Sequence, residues 1–243
     1  MDDLLKRLVE LETDIEYRQP PAAGQPEFSY LTGRIPVLLS APHGAVHRRA
    51  SSEDKDEDEY TAGLVRLLAE LTGAHALYAH NRSTSDPNFH KATPYKQTMR
   101  AVVAQAGIRF VLDIHGASDP KYKFGIALGT IDGKSCPRQR PLILSVLARH
   151  GFSPQAAGRD YLDLDRAFKG AGTFERETIT RYASQVLQVP AAQFELAPQL
   201  RIVQRRPSAS KPAPFSGDPQ RIRRVIEAFR ELIELLSRAE NLS

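Results

Sequence analysis

Two short apolar runs, each closed by a histidine and a glycine, constrain this chain more than any other feature. Ile35-Pro36-Val37-Leu38-Leu39-Ser40 leads into Ala41-Pro42-His43-Gly44, and Arg109-Phe110-Val111-Leu112-Asp113-Ile114 leads into His115-Gly116. Residues that are apolar at consecutive positions bury both faces of a strand, as the centre of a covered, mainly parallel sheet requires. Parallel neighbours need crossover connections, usually helical. The rest of the chain offers them. Helical periods run over residues 57–71 (Leu64, Val65, Leu67, Leu68 and Leu71), 92–106 and 140–150, with further strands expected at 27–32, 74–79, 124–129 and 190–196. Residues 173–186 read as another helix, with Thr173 as its N-cap.

The ends of the chain fit around this core. Residues 1–25 comprise an amphipathic helix (Leu4, Leu5, Leu8 and Leu11 on one face) and a proline-containing loop. Residues 207–243 comprise a Pro- and Ser-dense loop and a long terminal helix from 218 to 238 that packs on the domain. The expectation is a single α/β domain over residues 1–243, with a mostly parallel or mixed central sheet flanked by helices.

Composition narrows the class of function. The net charge is +4, the acidic residues cluster between Glu53 and Glu59, and much of the basic charge follows residue 200. Such segregation describes two solvated surfaces rather than the basic stripe with interleaved aromatics that binds nucleic acid. Cys136 is the only cysteine, which excludes an intramolecular disulfide and a four-thiolate zinc site. It sits in Gly133-Lys134-Ser135-Cys136-Pro137, which reads as an exposed turn. No stretch approaches the roughly 18 apolar residues of a membrane span, and the first residues lack the apolar run of a signal peptide. The expected setting is cytoplasmic.

Ligands of open α/β sheets bind beyond the carboxyl ends of the strands. His43 and His115 both lie there, each followed by a glycine that lets the backbone turn while the imidazole faces the crevice. A strand-end histidine alone is more often a hydrogen-bonding residue. Two in equivalent positions, with an acidic segment after the first, point instead to one metal ion, and neutral imidazole suits zinc. The third ligand is expected from the start of the 57–71 helix: Asp58 first, then Glu57, then Glu59. Asp113 precedes His115 by two positions, shares its face, and can orient the site as an outer carboxylate. Glu195, near the end of the last strand and on the same face as Gln193, is placed to act as a general base. Asn81-Arg82 follows the 74–79 strand directly, where a guanidinium can grip a substrate carboxylate at two points. Arg109, Lys123 and Arg201 are candidate oxyanion donors. His47, four residues after His43, is set aside because its loop setting denies the helix such a ligand pair needs. His75, His80, His90 and His150 are read as structural or surface residues.

Taken in order, Ser40-Ala41-Pro42-His43-Gly44, Asp58-Glu59-Tyr60-Thr61, Asn81-Arg82, Asp113-Ile114-His115-Gly116 and Gln193-Phe194-Glu195-Leu196 resemble the N-formylglutamate amidohydrolases. That family is related in fold to the zinc carboxypeptidases. The resemblance spans roughly residues 36–201. It implies Zn2+ held by His43, Asp58 and His115, Glu195 as general base and acid, and Asn81 and Arg82 binding a substrate carboxylate. It also implies a small acyl-amino acid or short peptide as substrate. The chain departs from the family at Gly44-Ala45-Val46-His47, where the first histidine is often followed by Gly-Gly or Ser-Gly, and in its Lys/Asp/Glu-rich insert before Asp58. A zinc carboxypeptidase or γ-glutamyl peptidase would present the same motifs, and a non-catalytic binding module would keep the scaffold without the chemistry. No Gly-x-Ser-x-Gly elbow occurs, which weighs against a serine hydrolase.

Overall fold

The computed structural model describes residues 3–49, 54–118, 121–206 and 214–238. Its centre is a seven-stranded sheet. In chain order the strands are β1 (Phe28–Leu31), β2 (Val37–Ala41), β5 (His75–Ala79), β6 (Phe110–Gly116), β7 (Ile126–Gly129), β8 (Leu162–Leu164) and β9 (Ala191–Leu196). A separate two-stranded hairpin, β3 (His47–Arg48) and β4 (Asp54–Lys55), stands beside the sheet. The spatial order is β1-β5-β2-β6-β9-β7-β8. The inner four, β5, β2, β6 and β9, run parallel, while β1 and β7 join antiparallel. The sheet is therefore mixed, with the helix-connected parallel centre that the two apolar runs demand.

The helices are α1 (Asp3–Thr13), α2 (Thr61–Thr72), α3 (Pro94–Ala106), α4 (Arg140–Arg149), α5 (Ile179–Arg181, continued by a π turn over Tyr182–Val186) and α6 (Pro219–Arg238). The strand residues divide between two layers. Leu39, Leu112, Ile114 and Phe194 pack with α1, α2, α4 and α6, whereas Leu38, Val111 and Ala191 pack with Tyr95 and Met99 of α3 and Ile179 of α5. No helix of the described residues is long and apolar enough to cross a membrane.

Three expectations are corrected. The helix expected over 173–186 begins only at Ile179, and its cap is Thr178, whose hydroxyl accepts from Arg181 N at 3.0 Å. Gly170 and Gly172, with φ of 73° and 65°, keep the preceding segment in a loop. The helix expected from residue 57 begins at Thr61, because Tyr60 takes a left-handed φ of 66°. Cys136 is fully buried rather than exposed, and burial pushes its thiol up to about 12. Neighbouring Ser135 anchors that turn to the start of β9, donating to Ala191 O at 2.7 Å. The short strand β8 lies in Tyr161-Leu162-Asp163-Leu164-Asp165, an alternating segment in which no strand is expected above.

Candidate metal centre and cleft

The site residues of β2, β6 and β9 fall on the α3/α5 face of the sheet because of register. Ser40 lies opposite Asp113, Asp113 opposite Gln193, and His115 opposite Glu195. Along this face the strands begin apolar and turn polar at their carboxyl ends. The result is a buried polar edge rather than a continuous core.

Two glycines permit the turns. A Cβ on Gly44 would stand 2.3 Å from Ala79 O and 2.8 Å from Ala62 Cβ, so only glycine lets the chain after His43 pass between β5 and α2. A Cβ on Gly116 would stand 2.6 Å from the Arg201 guanidinium, which lies buried beneath it.

Asp58 reaches the site from a turn rather than from a helix start. Its backbone N–H donates to His43 O at 2.8 Å, and Thr61 Oγ1 donates to its carbonyl at 2.7 Å. The left-handed Tyr60 that follows costs about 1–2 kcal/mol in itself. Its N–H is satisfied by Glu12 Oε1 at 2.7 Å and its hydroxyl by Gln204 O at 2.5 Å. Glu12 also accepts from Gly63 N at 2.7 Å, so a buried carboxylate of α1 caps α2.

Three ligand atoms converge. His115 Nδ1 is 3.1 Å from His43 Nδ1, and Asp58 Oδ2 is 3.4 Å from His43 Nδ1 and 3.5 Å from His115 Nδ1. Ion–ligand bonds of about 2.0–2.1 Å in a tetrahedron place ligand atoms about 3.3–3.4 Å apart, close to this triangle. Behind the imidazoles stand two more carboxylates. His43 Nε2 is 2.8 Å from Asp86 Oδ1, and His115 Nε2 is 3.1 Å from Asp113 Oδ1. These acceptors draw the ring protons to Nε2 and leave both Nδ1 lone pairs facing each other and an anionic oxygen. That arrangement is repulsive without a cation at its centre, so the donor set fits a metal ion. The field of the surrounding carboxylates is negative and favours positive charge here, which a bound cation would supply in place of the imidazole protons. Burial alone would raise Asp58, but contacts with His115 and His43 hold its carboxyl well below the usual range. Burial alone would lower both histidines, yet Asp86 raises His43, and Asp113 and Asp58 raise His115 well above its ordinary value.

The alternatives for the third ligand do not join this cluster. Glu59 is buried in an ion pair with Arg205, with Oε1 2.8 Å from Nε. Glu57 is buried outside the triad of His43, Asp58 and His115. His47, set aside on sequence grounds, stacks on His43 with ring centroids 3.8 Å apart, and its Nε2 lies 3.5 Å from Asp86 Oδ2. Burial and then the neighbouring His43 push its pKa down to about 3, so it stands neutral. His43, His47 and Asp86 form a second possible ligand group, but Arg49 Nε occupies Asp86 Oδ2 at 2.7 Å. We therefore assign Asp86 as the anchor of His43 rather than as a ligand.

Glu195 is buried beside this centre and lines the same open cleft of about 540 Å³. Burial pushes its carboxyl up to about 7, and Gln193 Nε2 donates to Oε1 at 2.7 Å. Arg49, Lys121 and Arg176 also line the cleft, with Tyr122 and Phe168 on its wall. Arg176 is held by its Nε, which donates to Asn88 O at 3.1 Å, while Asn88 Oδ1 accepts from Ile179 N at 2.8 Å. Lys96 locks the same loop by donating to Glu177 O at 2.8 Å. Burial and then the like charge of Arg49 lower the pKa of Arg176. Its terminal nitrogens make no hydrogen bond among the described residues, so the group calls for an anion.

Asn81 and Arg82 do not reach the cleft. Asn81 Nδ2 donates to Gln19 O at 3.2 Å, and Arg82 Nη2 pairs with Asp54 Oδ2 at 2.7 Å beside a separate surface depression. The hairpin β3–β4, invisible in the sequence pattern, supplies Asp54 and turns Arg82 away. Of the candidate oxyanion donors, Arg109 bonds Ser237 O at the far end of β6, Lys123 is exposed, and Arg201 is buried against Leu196 O at 3.2 Å. None of the three lines the cleft. His75 is bound to Gly33 N and His150 to Glu231, consistent with structural roles.

No protein-family model and no curated protein sequence matches the chain. Among solved structures it is similar to N-formylglutamate amidohydrolase from Ralstonia eutropha JMP134, with a TM-score of 0.53 and 12% identity over 86% of this chain and 96% of that one. It is also similar to succinylglutamate desuccinylase from Chromobacterium violaceum, with a TM-score of 0.47 and 17% identity over 98% and 77% of the two chains. A metallo-carboxypeptidase from Pseudomonas aeruginosa gives 0.46 and 13%, over 97% and 66%. The last two scores are too low to carry an argument. The first likeness establishes the fold, and it is with a member of the family that the sequence motifs resemble.

Proposed function

We propose that this chain is a zinc-dependent hydrolase that cleaves the amide bond of an N-formyl- or N-acyl-amino acid. The observation that carries the reading is the triangle of His43 Nδ1, His115 Nδ1 and Asp58 Oδ2, backed by Asp86 and Asp113 and flanked by Glu195. A zinc ion held by these three residues would supply Lewis-acid polarisation of the scissile carbonyl and a water of lowered pKa.

The remaining work belongs to the chain's own side chains. Glu195, kept in a dry environment that favours its taking a proton, removes one from the attacking water and returns it to the departing amine. Gln193 fixes the Glu195 carboxylate by its amide hydrogen bond. Asp86 and Asp113 hold the two imidazoles in one tautomer and orientation. Arg176 grips the substrate carboxylate, the role expected of Arg82 from sequence, and Arg49 adds positive potential to the same cleft. Tyr122 and Phe168 give it an apolar wall. The cleft has room for a short peptide as well as for an acyl-amino acid, so peptidase activity belongs in the test. The lone, buried cysteine suits cytoplasmic residence.

The decisive experiment is a hydrolysis screen of N-formyl, N-acetyl and peptide derivatives of acidic and neutral amino acids. It is run on the protein as purified, after chelation, and after restoration of zinc. Activity that chelation removes and zinc restores is expected. Hydrolysis unaffected by chelation, or none with zinc bound, refutes the reading.

A further inference from the structure

A second pocket of about 260 Å³ adjoins the cleft and shares Phe168 and Arg176 with it. Its floor is the glycine-bearing segment 170–172 and its inner wall is Gln193. Gly170 and Gly172 adopt positive φ, and a Cβ on Gly172 would stand 2.2 Å from Arg176 O. The loop therefore closes tightly and presents backbone rather than side chains to the pocket.

Gln193 is 2% exposed. A carboxylate oxygen accepts, so the amide nitrogen of Gln193 faces Glu195 and its Oε1 is turned the other way. That Oε1 is buried and has no hydrogen-bond partner among the described residues. A buried acceptor without a partner costs free energy that a bound donor recovers, and sites built around such an atom discriminate against analogues lacking the donor. With Arg176 at the junction gripping the substrate carboxylate, the scissile amide lies towards the metal centre and the substrate side chain lies towards this pocket.

We propose that the second pocket is the side-chain subsite of the substrate, and that Gln193 Oε1 selects a neutral side chain carrying a hydrogen-bond donor, such as a carboxamide. This rests on the amidohydrolase reading for the placement of the carboxylate. A side-chain carboxylate would set acceptor against acceptor at Oε1. A thioether of the same length would leave Oε1 unpaired. Gln193 is thus a specificity residue that contacts substrate on one side and fixes the general base on the other.

The test is calorimetric binding of N-formylglutamine and its near-isostere N-formylmethionine to the zinc-loaded full chain, with hydrolysis of both followed in parallel. N-formylglutamine should bind about tenfold more tightly, the worth of one well-placed hydrogen bond plus the relief of a stranded acceptor. Gln193→Met should bring the two within about twofold. Ala171→Leu, which adds bulk to the floor of the pocket and leaves Gln193 in place, should weaken N-formylglutamine at least fivefold relative to N-formylglycine. This second variant decides the matter if Gln193→Met fails to fold. Equal binding of both derivatives, binding of neither, or a preference that survives both variants overturns the subsite. Selective binding without hydrolysis would leave the subsite standing and refute the hydrolase reading. Zinc-dependent hydrolysis of both derivatives at equal rates and with equal affinity would do the reverse.

Discussion

Replacing Asp86 by asparagine is the sharpest test of how the metal centre is built. Asp86 is fully buried, and its two oxygens divide their work. Oδ1 lies 2.8 Å from His43 Nε2 and accepts from Asn88 N at 2.8 Å, while Oδ2 lies 2.7 Å from Arg49 Nε. Asparagine keeps the volume and one acceptor but removes the charge. His43 then loses the anion that fixes its tautomer, and Arg49 loses its partner at the mouth of the cleft. Removing an outer carboxylate of this kind typically weakens metal affinity about 10–100-fold, or about 1.4–2.7 kcal/mol. The assay is zinc competition against a chromophoric chelator, with stoichiometry read from the same titration. We expect one zinc per chain in both proteins and a dissociation constant raised within that range by Asp86→Asn. Affinity within twofold of the parent refutes the argument. Two zinc ions per chain in the parent, one of them lost with Asp86 or His47, would make Asp86 a ligand of a second centre and His43 a bridge.

Glu195→Gln should retain zinc while kcat falls by roughly 10²- to 10⁴-fold with little change in KM, the usual signature of lost proton transfer; loss of zinc would make Glu195 a ligand instead. Arg176→Lys should raise KM for carboxylate substrates, because the ammonium cannot reproduce the two-point grip, whereas Arg82→Lys should change neither KM nor kcat; the opposite pattern in steady-state kinetics would return the anchor to Arg82. Glu12→Ala strands the buried N–H groups of Tyr60 and Gly63 and the hydroxyl of Tyr17 and should destabilise the fold by about 3–6 kcal/mol in denaturant unfolding, the cost of three unpaired donors, and a loss below 1 kcal/mol on that scale would count against the cap. Burial pushes the Glu12 carboxyl up to about 7. The folded state therefore holds a proton that the unfolded state has released between the ordinary carboxyl range and that value, so stability should fall as pH rises towards 7, and Glu12→Gln should flatten the slope.

What could be read from sequence and what could not divide along a physical line. Asp113, His115, Gln193 and Glu195 sit on strands, and His43 stands in the turn two residues beyond β2. The period of two, together with the apolar residues that bury each strand, fixes which way the strand side chains point, and the turn after β2 brings His43 to the same edge. Sequence order then suffices to place them on one edge. Asp86, His47, Arg49 and Arg176 come from irregular segments, where direction is set by tertiary contacts that no local pattern announces. Arg176 faces the cleft only because Asn88 and Lys96, distant in sequence, bind its loop. Arg82 looks equally suitable as a strand-end cation, but Asp54, from a hairpin that no local sequence pattern announces, holds it elsewhere.

Asp58 shows the same division within a single residue. The sequence favours it as the third ligand because a carboxylate at a helix N-terminus is electrostatically stabilised, yet the helix begins three residues later. What places the side chain is the backbone bond from its N–H to His43 O, which ties these two proposed ligands together before any metal is considered. Glu53, at the start of the same acidic cluster, lies outside the described residues. Glu59 supplies a contrast from within the structure. One position along, it is captured by Arg205 rather than by the histidines, so the turn at Tyr60 sends adjacent carboxylates to opposite tasks. A ligand set assembled this way depends less on the helix that follows it than on the glycine after His43, which alone lets the chain pass close enough for the backbone of His43 to receive Asp58.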